Sequence, residues 1–400
     1  MIEEIRTENE YGTGLVKSWA SIIDDPTRAQ AARISRVPIV EDYVALMADA
    51  HFGFGPPVGT ALKTRRAVMP YAVGVDIGCG MIAVETDLTR DRLRGAEGPI
   101  LGHIRELIPS GVGTSHKQPL PQSHQFIQDN GFPPGLAEDE FAAHAADLRE
   151  KARVQFGTLG AGNHFVEVCT DPEGTVWLVL HSGSRGIGNQ LATAHYLIAK
   201  DFCTQEGIQV EHPEMSYLPV DAPEAEVYLQ DMLWAQHYAY AQREAMMDNL
   251  MEAISLEIGP DWNEVQRINC HHNYAERIED GNTWLTRKGA IDASKGKLGI
   301  IPGSMGASTY IVRGKGNEEA YNTSPHGAGR VLGRNQARKT LTEAEFRKQM
   351  EGKTWLDRDA KRLLDEAPSA YKPIEQVMAD SADLIEPVTV LSQFINYKGL

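Results

Sequence analysis

Apolar residues in this chain come mostly in short runs that stop at glycine or histidine, and that pattern narrows what it can fold into. YAVGV (71–75), FVEV (165–168), VWLVL (176–180) and YIV (310–312) read as buried or half-buried strands, each closing near a Gly-rich or His-bearing turn. Between them, residues 224–256 carry apolar side chains at helical spacing without Pro or Gly, which predicts a long amphipathic helix. A second helical region is expected from Thr342 to about Leu364, entered through Thr342 with Glu345 three residues later, a capping-box pattern. Residues 115–138 are polar, Pro-containing and weakly patterned, and are read as a loop or insertion. No internal repeat is present, which excludes solenoids and propellers. The expectation is one large mixed α/β domain over residues 1–400 with helical insertions, its strands delivering polar residues to a central site.

Bulk properties remove several classes of function. The 400 residues are 42% hydrophobic and 24% charged, an ordinary globular balance. The first residues, MIEEIRTENEYGTG, are polar, and no run approaches the roughly 18 apolar residues of a membrane span. A cytoplasmic protein with no membrane partner is therefore expected. Cys79, Cys169, Cys203 and Cys270 show no Cys-x-x-Cys spacing and read as reduced thiols. A net charge of −16 argues against field-driven binding to nucleic acid. Any polyanion contact must be local, at clusters such as Lys63/Arg65/Arg66, Arg287/Lys288, Arg313/Lys315 or Arg330/Arg334/Arg338/Lys339, each of which also reads as solvated surface charge.

The chemistry-bearing motifs sit at the turns. GVDIGCGM (74–81) presents Asp76 and Cys79 three residues apart on a glycine turn, able to converge on one ion. GAGNHFVE (160–167), HSGSRGIG (181–188) and NCHHNY (269–274) each place histidine beside small or hydrogen-bonding neighbours next to strand-like sequence. With Asp76 and Cys79 these supply N, O and S donors suited to Mn, Zn or Co rather than calcium, and a bridging thiolate would allow two ions. Spacing alone does not separate His271 from His272. In SPHGAGRVLGR (324–334), His326 stands in a Gly-rich loop four residues before Arg330, as a nucleophile or acid/base group near phosphate would. PGSMGAST (302–309) is a second small-residue loop. It lacks the Walker pattern, and the dinucleotide Gly-x-Gly-x-x-Gly fingerprint is also missing.

Taken in order, MADAHFGFG, GVDIGCGM, GTLGAGNHFVE, HSGSRGIGN, NCHHNY, TRKGAI, GIIPGSMG, SPHGAGR and YKGL, from residue 47 to the last, resemble the RtcB family of GTP-dependent RNA ligases. The resemblance implies an enzyme that guanylylates its own histidine with two Mn2+ ions and GTP. It then transfers GMP to an RNA 3′-phosphate, formed where needed from a 2′,3′-cyclic phosphate, and lets a 5′-hydroxyl end attack, in RNA repair or tRNA splicing. It implies Asp76, Cys79, His164, His181 and His272 as metal ligands, with Cys79 shared, and so favours His272 over His271. It makes His326 the nucleophile. It also implies a guanylate pocket of Asn163, His164, Phe165, Glu167, His272, Asn273, Pro302, Gly303, Ser304, Met305, Thr309, His326, Gly327, Ala328, Gly329, Tyr371 and Lys398. Arg185 and Arg330 are the expected partners of the RNA phosphate, and the expected working form is a monomer. Three positions depart from the family's common pattern: Gly333 in place of Ser, Gln242 in place of Asn, and Ala48 in place of Pro. The competing reading from the same residues is a two-metal cyclic phosphodiesterase or phosphatase acting on RNA ends without GTP.

Overall fold

The structure is a computed structural model that describes residues 1–137, 145–278 and 281–400. Residue 138, the last of the stretch read as a loop, lies outside them. Two sheets dominate. One has seven strands in the order Glu264–His271, Gly80–Thr89, Thr175–Ser182, Phe165–Thr170, Ile385–Lys398, Thr309–Gly314 and Leu298–Pro302, with antiparallel pairing throughout. The other has six, in the order Glu3–Asn9, Gly12–Ser18, Val40–His51, Val58–Arg65, Thr283–Lys288 and Asn273–Arg277. Its one parallel pairing joins the second strand to the third.

Both faces of the seven-stranded sheet are buried, which explains why its strands read as nearly continuous apolar runs. Ile82, Val84, Val166 and Leu180 pack with Ile104, Met246 and Leu250 from helices. The alternate residues Met81, Ala83, Phe165 and Val179 join Ile300 and Ile311 in a separate cluster, as the two-residue repeat of a strand requires. A third cluster ties the sheets together, with Ala45, Met47 and Leu285 of one against Ile301 and Val312 of the other.

Register then places the polar residues. Met81 lies opposite His181, and His181 opposite Phe165. Gly80 lies opposite both Ser182 and His271, while Lys398 pairs with Phe165. One end of this sheet therefore gathers Cys79 just before its strand, His181 near the end of the neighbouring strand, His164 just before the next, and Lys398. His272 is the single residue between Glu264–His271 of one sheet and Asn273–Arg277 of the other. The site thus lies where the two sheets meet.

The long helix runs over Pro223–Ile258. Three expectations are corrected. YAVGV is not a strand: Pro70–Val73 forms a helical turn with Pro70 at its start, ended by Gly74 at φ +89°. A five-residue apolar window cannot separate a strand from a buried turn, and proline's fixed φ favours the latter. The region after Thr342 is capped as expected, the Thr342 and Glu345 side chains and backbones bonding reciprocally, but the helix stops at Gln349. Gly352 takes φ +77°, and Thr354 bridges to Ile395 before a 3-10 helix at Asp357–Glu366. Inside the stretch read as a loop, Pro121–Asn130 is helical and buries Ser123 and Phe126.

The turn carrying Asp76 and Cys79 depends on Gly78, at φ +71°, and on close packing at Gly80. A Cβ at Gly80 would lie 2.2 Å from the Cys270 carbonyl oxygen. Gly80→Ala is therefore expected to force the two strands apart at a cost of about 1–3 kcal/mol. A lowered midpoint in thermal or denaturant unfolding is the expected result.

Candidate functional site

The histidine hydrogen bonds decide which nitrogens face the centre. His181 Nδ1 lies 3.2 Å from the Asn163 carbonyl oxygen. His272 Nδ1 lies 3.2 Å from Asn273 Oδ1, which must be the amide oxygen because it also accepts the Gly289 N–H at 2.8 Å. Burial pushes both imidazoles well below their usual range, so each is neutral and keeps one N–H. Those protons are on Nδ1, where acceptors wait. The two Nε2 atoms then face each other as lone pairs, 2.8 Å apart. His164 donates Nδ1–H to the Leu159 carbonyl at 2.8 Å and presents Nε2 to Asp76 Oδ2 at 3.0 Å and Cys79 Sγ at 3.5 Å. Cys79 Sγ lies 3.2 Å from His181 Nε2.

Acceptors crowded in this way repel unless a cation lies among them. Two triads share one atom: Asp76, Cys79 and His164 on one side, Cys79, His181 and His272 on the other, with ligand atoms in each within 4.8 Å of one another. Burial works against ionisation of Asp76; with a proton on His164 Nε2 in the place a metal ion would take, the hydrogen bond and charge of His164 and the charge of Arg185 outweigh burial and hold the Asp76 pKa at about 2. Burial and then the Asp76 charge push the Cys79 thiol well above its usual range, so a thiolate there needs a compensating ion. The donor set of thiol, imidazole and carboxylate fits a transition metal or zinc. Arg243, fully buried on the long helix, braces the turn by donating from Nη1 to the Gly78 and Ser182 carbonyls at 2.7 and 3.0 Å. Its Nη2 lies 3.1 Å from His271 Nδ1. That ring faces Arg243 rather than the metal triads.

A cavity of about 780 Å³ opens over this cluster, lined by Asp76, His181 and His272 from it, within the size range of ligand pockets. Asn163, Phe165, Glu167, Asn273, Pro302, Gly303, Ser304, Met305, His326, Gly327, Ala328, Gly329, Arg330, Tyr371 and Lys398 also line it. Cys79, His164, Thr309 and Arg185 do not. Thr309 is a buried strand residue opposite Pro302 and Leu391. Arg185 turns away, donating from Nε to Thr158 Oγ1 at 3.2 Å. The Arg287/Lys288 cluster is not a surface patch either, both side chains being buried.

The His326 ring lies against that of His272, centroids 4.4 Å apart and planes tilted by 40°. Buried Asp49 places Oδ2 at 2.7 Å from His326 Nδ1, off the line of a straight hydrogen bond, and accepts the backbone N–H groups of His326 and Gly327 at 3.1 and 3.2 Å. Gly329 permits this approach, since a Cβ there would fall 2.0 Å from the Asp49 carbonyl oxygen. At the far wall, buried Glu366 accepts from Tyr371 Oη at 2.8 Å and lies 3.0 Å from Lys398 Nζ, and it also pairs with Arg330 and Arg334. Asp49, Arg243 and Glu366 were not singled out from the sequence. The signal available for the first two was a charged residue set in an apolar strand or on the buried face of a helix.

Fold and site together define a mixed α/β protein with a buried Cys/His/Asp cluster able to hold metal ions at the foot of a ligand-sized cavity. Residues 30–399 match the family model described as tRNA-splicing ligase RtcB, and the chain belongs to that family. It is 35% identical over 420 aligned residues to the RNA-splicing ligase RtcB of Escherichia coli K12, covering 99% of both chains. It is 29% identical to the tRNA-splicing ligase RtcB of Pyrobaculum aerophilum, covering 88% of this chain and 87% of that one. With the RNA-splicing ligase RtcB of Mycobacterium bovis the identity is 29%, over 88% and 95%. Among the described residues no helix is long and apolar enough to cross a membrane.

Glu167 gives the site a pH signature. Burial raises its pKa from 4.5 to about 8 against the opposing charge of Lys398. Between those values the folded chain keeps a proton that the unfolded chain has lost, so this group's contribution to stability falls as pH rises from 4.5 to about 8 and is flat above. Glu167→Gln is expected to remove that slope, on the order of a few kcal/mol across the window. Denaturant titrations at several pH values measure it.

Proposed function

We propose that this chain is a GTP-dependent RNA ligase that joins a 3′-phosphate or 2′,3′-cyclic phosphate end to a 5′-hydroxyl end through guanylate carried on His326. The observation that carries this reading is the placement of His326: one ring nitrogen faces buried Asp49, and the ring lies 4.4 Å, centroid to centroid, from that of the candidate ligand His272. The names of the relatives, RNA-splicing and tRNA-splicing ligases, support the same reading.

Two divalent ions, manganese on this reading, would be held by the triads that share Cys79, and when bound they neutralise charge on phosphate oxygens. The chain's own groups do the rest. Asp49 holds the backbone of His326 and lies beside Nδ1, leaving Nε2 as the free nucleophilic nitrogen, and its negative charge would balance the cation that forms on the imidazole. The Nε2–phosphorus bond forms at the α-phosphate of GTP as the bond to pyrophosphate breaks. A cyclic end is first opened by water, which breaks the bond from phosphorus to the 2′-oxygen and leaves a 3′-phosphate. An oxygen of that phosphate then takes the guanylate as the Nε2–phosphorus bond breaks, releasing His326. Attack by the 5′-hydroxyl oxygen on the RNA phosphorus expels GMP and closes the strand, the hydroxyl proton passing to solvent or to the departing GMP phosphate. Glu167 presents Oε2 without a hydrogen-bond partner among the described residues; its carboxyl holds a proton up to about pH 8, and giving that proton up on guanine binding would let it accept the N–H groups of the guanine edge. Lys398 and Tyr371, held by Glu366, close the guanylate pocket. Arg330, which lines the cavity where Arg185 does not, is the candidate partner for the RNA phosphate.

GTP labelled on its α-phosphate, incubated with the protein and Mn2+, is expected to leave covalent label that His326→Ala abolishes. Asp49→Asn is expected to slow labelling on the order of a hundredfold. An unlabelled wild-type protein that opens cyclic phosphate ends without GTP and joins nothing would establish the phosphodiesterase reading instead.

A further inference from the structure

The ligase reading uses the floor and walls of the cavity but leaves its rim unexplained. Phe52 and Phe54 line the cavity, yet they are 60% and 70% exposed and are the only exposed phenylalanines among the described residues. A single exposed ring is ordinary. Here the backbone is held by buried polar groups. Lys288 donates from Nζ to the carbonyl oxygens of Phe54 and Pro56, and Gln30 donates from Nε2 to those of Gly53 and Gly55. The Gly55 N–H goes to Glu214 at 2.6 Å. Committing a buried lysine and a buried glutamine to loop carbonyls costs desolvation, and the result is a fixed backbone that keeps both rings out of the core. The loop also follows directly on the strand that carries Asp49, so the rings are tied to the element that orients His326.

The chain's net charge of −16 denies it the long-range attraction most RNA-binding proteins use, leaving short-range contacts to supply affinity. Aromatic faces stack on any base, and their contribution is insensitive to net charge. Arg334 lines the same cavity and is held by Asp365 and Glu366 with its side chain 40% exposed, within reach of solvent and of a backbone phosphate. We propose that Phe52 and Phe54 form a preorganised stacking platform for the unpaired bases next to the RNA end handled at His326, with Arg334 receiving the neighbouring phosphate. This rests on the ligase reading for the identity of the polymer.

The test uses a short single-stranded RNA with 2-aminopurine beside its 3′-phosphate, titrated with the full chain and Mn2+ in the absence of GTP. Wild-type protein is expected to quench the fluorophore on binding. The Phe52→Ala/Phe54→Ala variant is expected to bind about five- to a hundredfold more weakly and to lose the quench. A Phe→Leu pair should behave like the alanine pair and a Phe→Tyr pair like wild type, while guanylate labelling of His326 proceeds at the same rate in all four. Wild-type affinity and quench in the Leu or Ala pair, or no quench with wild-type protein, would overturn the platform. Should the alanine pair fail to fold, the Leu and Tyr pairs decide. Normal labelling with no ring-dependent quench rejects the platform and leaves the ligase; ring-dependent quench without labelling does the reverse.

Discussion

The Nδ1–H groups of His164, His181 and His272 all point at oxygens: the carbonyls of Leu159 and Asn163 and the side-chain amide of Asn273. Everything at the centre follows from those three contacts. With the Nδ1 protons engaged outward, the Nε2 atoms converge with Cys79 Sγ and the Asp76 carboxylate. Neutral imidazoles 2.8 Å apart at Nε2 with no proton between them form an arrangement that a metal ion relieves. Asn273 opens a strand, Asn163 lies in the turn two residues before Phe165–Thr170, and Leu159 is tied by its N–H to the Pro109 carbonyl at 2.9 Å, so the fold sets the tautomers and the tautomers define the site.

The same logic extends outward. Arg243 donates to the Gly78 and Ser182 carbonyls at the point where the turn enters the sheet. Gln242 beside it is fully buried and donates to the Gly183 carbonyl at 2.9 Å, so the residue that departs from the family's usual Asn still ties the long helix to the segment next to His181. Gly333 starts the helix Arg334–Thr340 without a side-chain cap. That departure leaves the first turn unsatisfied by its own residue, and the helix is held instead through the ion pairs of Arg334 and Arg338 with Asp365.

Much of this was legible in the sequence because small residues mark places where backbone and ligand come close. The turn at Asp76 and Cys79 and the histidine segments announced themselves by their glycine, serine and asparagine neighbours. The ordered motifs then separated His272 from His271, and the structure turns His271 toward Arg243. Asp49 and Arg243 were hidden for a shared reason. Each lies within regular structure that periodicity assigns to the core, and a lone charge there resembles noise until a partner from a distant segment is known. Glu366 lies near a stretch expected to be helical and matters only because Tyr371 and Lys398 fold back onto it. The strand expected at YAVGV failed because a short apolar window carries no directional information, whereas Pro70 and Gly74 do.

The central claim is that Cys79 is shared by two ions. Anomalous X-ray diffraction from crystals of the protein grown with Mn2+ tests it most directly. The account predicts two peaks flanking Cys79 Sγ, one bounded by Asp76 and His164 and the other by His181 and His272. A single peak that does not touch Cys79, or none among these residues, would contradict it.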